Sequence, residues 1–152
     1  MYEGGVDLRN YQLYIIDDEF ATHYFGREIM FFRLFKEYEQ SHGDMQSILL
    51  KQIYYITNPT PSIRLHQYLQ LQLQKTKGFR MEQGSYVIEY GRNSSARLRV
   101  FERYLSLEAQ GSFEAETHFF ELLRKYEGTY LAVDIENERC GWLKPIKERK
   151  FV

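Results

Sequence analysis

Residues 18–40 form a strongly aromatic segment, DEFATHYFGREIMFFRLFKEYEQ, with five Phe and two Tyr among 23 residues. Its apolar residues recur at intervals of three and four, which is typical of an amphipathic helix. We therefore predict one helix over 18–41, capped by Asp17 or Asp18 and ended by Gly43. A helix on the surface of a small domain needs only one apolar stripe. The aromatic excess indicates that this helix contacts two different surfaces.

The apolar side chains fall on two adjoining arcs when the helix is turned by about 100° per residue. One arc holds Phe20, Tyr24, Phe31, Phe35 and Tyr38, and the other holds Ala21, Phe25, Ile29 and Phe32. From Phe31 to Tyr38 we predict core packing on a sheet and on a second helix. At the other end, Phe20 and Tyr24 with Arg27 one turn further have the composition of a protein–protein hot spot. Spacing alone leaves core packing and a partner-binding face both open.

A second helix is predicted from Asp44 to about Ile56. Its core-facing stripe comprises Met45, Ile48, Leu49, Ile53 and Ile56. Gln52 and Tyr55 lie outside this stripe and are neighbours one turn apart. Two adjacent helices would then share one exposed face. Gly26, in the first helix, is expected to permit close approach of a neighbouring backbone.

The segments around these helices predict an α+β fold in a single domain, with helices packed on a mostly antiparallel sheet. Residues 1–10 are interpreted as an N-terminal extension, and 11–17 as a buried strand. The LQLQLQ repeat fits a strand or a helix, and we favour a helix over 63–75 because Leu and Gln are good helix formers. The later predicted elements are strands at 80–90 and 96–109 joined by GRNSS, a helix at 113–126, and a hairpin over 130–146 with a turn at ENERCG.

The composition excludes several classes of site. The net charge of −1 supplies no cationic field for nucleic acid. Cys140 is the single cysteine, so an intramolecular disulfide and a Cys-rich zinc site are excluded. No two histidines have the i, i+3 or i+4 spacing of a local metal site, and there is no glycine-rich phosphate loop. We predict no catalytic residue, no metal and no cofactor, and we interpret Glu114, Glu116 and Glu121 as helix-start and surface carboxylates.

Arginines concentrate on the strand at 96–109. Arg97, Arg99 and Arg103 face a neighbouring strand that carries Glu82 and Glu89, which favours a solvated, salt-bridged face. Two alternatives stay open. One is a nucleic-acid adaptor that uses this strand, and the other is a small enzyme with a pocket lined by His, Tyr or Glu side chains.

The N-terminal sequence MYEGGVDLRN has no basic segment followed by an apolar run, so no signal peptide is predicted. No stretch approaches the roughly 18 apolar residues that a membrane span needs. We expect a cytoplasmic protein.

Three stretches together resemble a known family: EFATHYFGRE near the N-terminus, KQIYYITNPTP in the middle, and FEAETHFFELLRKY followed by GWLKPIKERKFV. They are similar to the sporulation inhibitor of replication family of endospore-forming bacteria. The resemblance spans essentially the whole chain in the same order and is weakest over 75–107.

The resemblance implies a function that the residue patterns do not. Members of this family bind domain I of the replication initiator DnaA through an apolar helical surface and block new rounds of initiation in cells entering sporulation. The family's contact positions fall here on Phe20, Tyr24, Gln52 and Tyr55. Pro145 belongs to a functionally sensitive motif, for which we expect a structural role.

The resemblance therefore implies a heterodimeric complex with DnaA that forms at the replication origin without direct DNA contact. We expect Phe20 and Tyr24 to enter an apolar groove on domain I. Gln52 and Tyr55 would form hydrogen bonds with polar groups at its edge. Arg27 would attract an acidic rim of the groove and so speed association.

Overall fold

A computed structural model describes residues 8–146, which form five helices and eight strands. The helices are α1 (Asp18–His23), α2 (Ile29–Gln40), α3 (Gly43–Ile56), α4 (Ser62–Leu73) and α5 (Glu114–Tyr126). The strands are β1 (Leu8–Ile16), β2 (Thr57–Asn58), β3 (Phe79–Glu82), β4 (Ser85–Tyr90), β5 (Ser94–Val100), β6 (Leu105–Gly111), β7 (Tyr130–Asp134) and β8 (Arg139–Trp142). None of these helices is long and apolar enough to cross a membrane.

All the strands belong to one sheet with the order β3-β4-β5-β6-β1-β7-β8, and β2 pairs with the end of β1. Every pair of neighbours is antiparallel. The predicted α+β class is thus confirmed.

Strand β1 lies inside the sheet, and its residues 13–16 are buried on both faces. Leu13 and Ile15 point into a core shared with α4 and α5. Tyr14 and Ile16 point into a second core shared with α2 and α3. The alternation follows from the two-residue period of a strand, and it explains why the segment reads as continuously apolar.

Strand β1 begins at Leu8 and pairs with β6 from that residue on, so the strand starts three residues before the predicted one. This part of the strand contains Arg9, a charged residue that is only 3% exposed.

The LQLQLQ repeat lies in α4, as predicted. Leu65, Leu69 and Leu73 are fully buried in the core against the sheet. Their spacing of four residues is that of one helix face.

Each of the two strands predicted at 80–90 and 96–109 is in fact a hairpin. In the first hairpin, Gln83 has φ 51° and Gly84 has φ 79°, and two consecutive positive φ values characterise a two-residue type I′ turn. In the second, β5 ends at Val100 and β6 begins at Leu105. The intervening FERY contains no glycine or proline to signal a turn.

The predicted helix over 18–41 is broken. Helix α1 ends at His23, and α2 begins at Ile29. Gly26 lies between them with φ +80°, and no described atom lies within 4 Å of a Cβ built on it. The expected close approach by a neighbouring backbone is therefore wrong, and the glycine instead permits a left-handed residue in the turn.

Replacing Gly26 with alanine is expected to lower the free energy of unfolding by about 1 kcal/mol, because an L-residue is strained at positive φ. Urea denaturation measures this loss. Gly141→Ala is the matched control, since its Cβ would also meet open space but no positive φ is required there. Equal stability of the two variants would contradict this explanation.

The aromatic residues of α2 confirm the predicted core packing, because Phe31, Phe32 and Phe35 are at most 5% exposed. Helix α3 differs from its prediction. Leu49 and Ile53 are buried, whereas Met45 is 56% and Ile48 is 51% exposed. The reason is that α3 packs mainly against α2 and β2, which cover only a narrow stripe of it.

Candidate functional site

A groove of about 800 Å³ opens between α1, α2 and α3. Its walls include the four positions for which the resemblance implies a partner contact: Phe20, Tyr24, Gln52 and Tyr55. We call this feature the α1–α3 groove. Helices α1 and α3, which α2 separates in the sequence, therefore contribute to one concave surface.

Asp17 joins the start of α1 to the end of α3. Its backbone N–H donates to the carbonyl of Ile56 at 2.8 Å. Its side-chain Oδ1 accepts from the N–H of Glu19 at 3.1 Å. This is the N-cap that was predicted for the first helix, and it also fixes where that helix begins relative to α3.

Phe20 and Tyr55 meet across this junction. Their ring centroids are 5.3 Å apart and the rings are inclined by 66°, an edge-to-face arrangement. Phe20 is half-buried and packs against the second core. Tyr55 is 76% exposed. Among the described residues, neither the Tyr55 hydroxyl nor the exposed Gln52 amide has a hydrogen-bond partner, so both are available to another molecule.

Tyr24 is held more firmly than Tyr55. It is the C-cap residue of α1, and its N–H donates to the Phe20 carbonyl at 3.0 Å. Its ring packs edge-on against Phe31, with centroids 5.6 Å apart. Tyr24 is half-buried, so it contributes both to the groove wall and to the packing beneath it.

Arg27 lies beside the groove rather than in its wall. The break after α1 places it in the turn instead of one helical turn beyond Tyr24, and its guanidinium carbon sits 5.0 Å from the centroid of the Tyr24 ring. This cation–π contact leaves the side chain exposed. Its steering role stays a prediction.

Pro145 is exposed and follows β8, outside the groove. The preceding strand contributes Trp142, whose ring lies 5.9 Å from that of Phe31. This part of the family motif therefore reaches the floor beneath Tyr24 through a core contact. The expected structural role of Pro145 stays a prediction.

The sequence patterns missed the α2 wall of the groove, which includes Met30 and Leu34. Met30 is 46% exposed, and the charged residues Arg33, Glu37 and Lys51 also line the groove. A continuous helix over 18–41 would have given these side chains another orientation. Gly26 was the available signal of a break.

Two of the histidines, His66 and His118, are engaged away from the groove. His66 Nδ1 lies 2.6 Å from the Tyr86 hydroxyl, and His118 Nδ1 lies 3.0 Å from the Tyr90 hydroxyl. Both histidines are half-buried, and in each case the partner is a tyrosine. Burial lowers the pKa of His118. Within residues 8–146, no three His, Cys, Asp or Glu side chains cluster as a metal site would need.

The positions of three other polar residues can be compared with their predictions. Cys140 lies in β8 rather than in the turn, and burial raises the pKa of its thiol. Arg97 pairs with Glu82 as expected. Glu116 is not a surface carboxylate, because it is 1% exposed and pairs with Arg9.

The chain matches the family model described as sporulation inhibitor of replication protein SirA over residues 9–147. It is also 40% identical over 146 residues to the "Sporulation inhibitor of replication protein SirA" of Bacillus subtilis (strain 168), which covers 95% of this chain and 99% of that protein. With the match running through every described element, the chain belongs to the SirA family of sporulation inhibitors of replication.

Proposed function

We propose that this protein inhibits the initiation of chromosome replication during entry into sporulation by binding DnaA domain I at the α1–α3 groove. The observation that carries the proposal is the convergence of Phe20, Tyr24, Gln52 and Tyr55 on one groove. The name of the Bacillus subtilis relative describes a sporulation inhibitor of replication. Its identity along almost the whole of both chains supports the same role here.

The shape of the site defines what the partner must present. Phe20 and Tyr24 form walls of a groove on this chain, so the expectation that they enter a groove on the partner is replaced. A concave, mostly apolar site is filled by a convex apolar element. DnaA domain I is therefore expected to supply projecting apolar side chains. The Gln52 amide and Tyr55 hydroxyl would bond its polar groups at the rim.

The composition of the groove suits a strong protein contact. Tyrosine and arginine dominate binding hot spots because they combine a large contact area with a polar end. Tyr24, Tyr55 and Arg33 supply this combination around an apolar floor. The complex is expected to be a heterodimer of one chain and one domain I.

Inhibition by this route is stoichiometric and uses no catalysis, cofactor or DNA contact. An occupied domain I would lose contacts with the helicase or with other DnaA copies, or would change how DnaA assembles at the origin. The protein would act in the cytoplasm and reach the origin through DnaA.

Replacing Gln52 with arginine tests the proposal by obstructing the groove. Gln52 is exposed on α3, so the larger cationic side chain leaves the core intact but projects where the partner must sit. We expect affinity for purified DnaA domain I to fall at least about tenfold, or 1.4 kcal/mol, in calorimetric titrations.

Gln67→Arg makes the same chemical change at an exposed position of α4 and is expected to bind like the wild type. The proposed function is wrong if the wild-type chain does not bind domain I. The groove is the wrong surface if the wild type binds and both variants bind equally well.

A further inference from the structure

We infer that Arg103, which lies outside the groove, is a positioning residue for it. The turn between β5 and β6 uses Arg103 to hold the last turn of α3, and thereby sets the position of Tyr55. The inference rests on the proposed function, because the position of Tyr55 matters only if the partner binds at the groove.

Arg103 binds the C-terminal end of α3 through several contacts. Its Nη2 donates to the carbonyl of Tyr54 at 3.0 Å, to the carbonyl of Thr57 at 3.0 Å and to the Thr57 hydroxyl oxygen at 3.1 Å. Its guanidinium carbon lies 4.3 Å from the centroid of the Tyr54 ring. The side chain therefore contacts both the backbone and a ring of the segment that bears Tyr55.

One of these contacts satisfies a carbonyl at the end of α3, that of Tyr54. The last four carbonyls of a helix have no intrahelical donor. The carbonyl of Ile53 accepts from the N–H and hydroxyl of Thr57, and that of Ile56 accepts from the N–H of Asp17. Arg103 supplies the donor for Tyr54, and its positive charge also suits the negative end of the helix dipole.

The turn that carries Arg103 is itself anchored in the core. Phe101 and Tyr104 stack with centroids 5.0 Å apart, and Tyr104 stacks on Tyr14 at 5.6 Å. Tyr14 in turn stacks on Phe35 of α2 at 4.2 Å. Arg103 thus extends from a braced turn rather than from a loop that moves independently of the sheet.

Tyr55 depends on this brace because it has little else to fix it. It is 76% exposed, and its ring contact within the described residues is with Phe20. Its position therefore follows from the backbone at 54–57. A loosened helix end would have to be ordered on binding, and that cost lowers affinity.

The geometry also distinguishes arginine from lysine. All three hydrogen bonds converge on one nitrogen, which a lysine ammonium could partly reproduce. A lysine has no planar group to lie over the Tyr54 ring. We therefore expect Arg103→Lys to be intermediate between the wild type and Arg103→Met.

The test compares wild type, Arg103→Met and Arg103→Lys in calorimetric titrations with DnaA domain I and in amide hydrogen exchange of the free full-length chain. Ile88→Val is the control for a general loss of stability, since Ile88 is buried in the other core, beneath α4 and α5. Arg103→Met is expected to bind about fivefold to tenfold more weakly. Its amides at 55–57 should exchange about tenfold faster, while those of β4 and β5 keep their wild-type rates.

The inference is overturned if Arg103→Met binds like the wild type, or if Ile88→Val loses as much affinity as Arg103→Met. It is also overturned if the amides at 55–57 keep their wild-type exchange rates. If the wild type does not bind domain I, the proposed function fails, and exchange at 55–57 still decides whether Arg103 braces α3.

Discussion

Replacing Tyr55 with alanine is expected to weaken binding to DnaA domain I by about thirtyfold, or about 2 kcal/mol, without lowering the stability of the chain. Tyrosine at the rim of an apolar groove contributes ring area and a hydroxyl together. Because the side chain is 76% exposed, its removal leaves no cavity in the core. The loss would therefore measure the contact with the partner.

The chain offers a closely matched control for this variant. Ile63 on α4 is also 76% exposed, so Ile63→Ala truncates an equally exposed apolar side chain away from the groove. Calorimetric titration of both variants, with circular dichroism to confirm folding, should show a loss for Tyr55→Ala alone. A Tyr55→Ala chain that binds as tightly as wild type would place the partner on another surface.

Tyr24→Ala would be less informative, although the same resemblance implicates both tyrosines. Tyr24 packs on Phe31 and lies under the Arg27 guanidinium, so truncation would disturb the turn between α1 and α2 as well as the groove. A weaker complex could then reflect a changed groove wall.

The aromatic segment at 18–40 shows how far sequence patterns can lead. Periodicity predicted the buried Phe31 and Phe35 correctly, because a single helix does hold them. It failed at Gly26, since an isolated glycine within a helical pattern is tolerated in many helices. Nothing local specifies a positive φ there. The α2 wall of the groove, with Met30, could not be predicted without that break.

The family resemblance identified positions whose convergence the patterns could not establish. Phe20 and Tyr55 are brought together by a hydrogen bond between Asp17 and Ile56. A hydrogen bond between two backbone groups does not require particular side chains, so the sequence does not reveal it. The role of Arg103 was hidden for a related reason, because its acceptors belong to residues 46 and 49 positions away.

The two unpredicted hairpins have a physical explanation as well. Gln83 adopts a positive φ that is usually left to Gly, Asn or Asp. The FERY turn contains none of the residues that favour turns. Apolar and polar residues alternate on both sides of FERY, at 96–100 and at 105–109, which favoured a single strand there. In the first segment, Gly84 was the one residue that signalled a turn.

The buried pair of Arg9 and Glu116 is the clearest long-range feature that the sequence concealed. Both residues are at most 3% exposed, and Arg9 Nε donates to Glu116 Oε1 at 2.9 Å. The Tyr11 hydroxyl donates to Oε2 at 2.5 Å. Burial, followed by this bond to Glu116, raises the pKa of Tyr11 to about 12, which keeps the phenol protonated as a donor.

Replacing Glu116 with glutamine is expected to lower the free energy of unfolding by about 2–3 kcal/mol, because a neutral amide replaces a buried carboxylate that accepts hydrogen bonds from Arg9 Nε and from the Tyr11 hydroxyl. Urea denaturation of the full chain measures this loss. Glu82→Gln removes a carboxylate from the solvated pairs with Arg80 and Arg97 and is expected to change stability little.

A double replacement, Arg9→Met with Glu116→Leu, separates the buried charge from the loss of packing. Apolar residues of similar volume can substitute for a buried pair with little cost, so the double variant should recover much of the stability that Glu116→Gln loses. If it were less stable than the single variant, packing and hydrogen-bond geometry around Tyr11 would account for the effect instead of the lost negative charge of Glu116. Because the pair joins β1 to α5 on the side of the sheet away from the groove, affinity for DnaA domain I should be unchanged in every variant that remains folded.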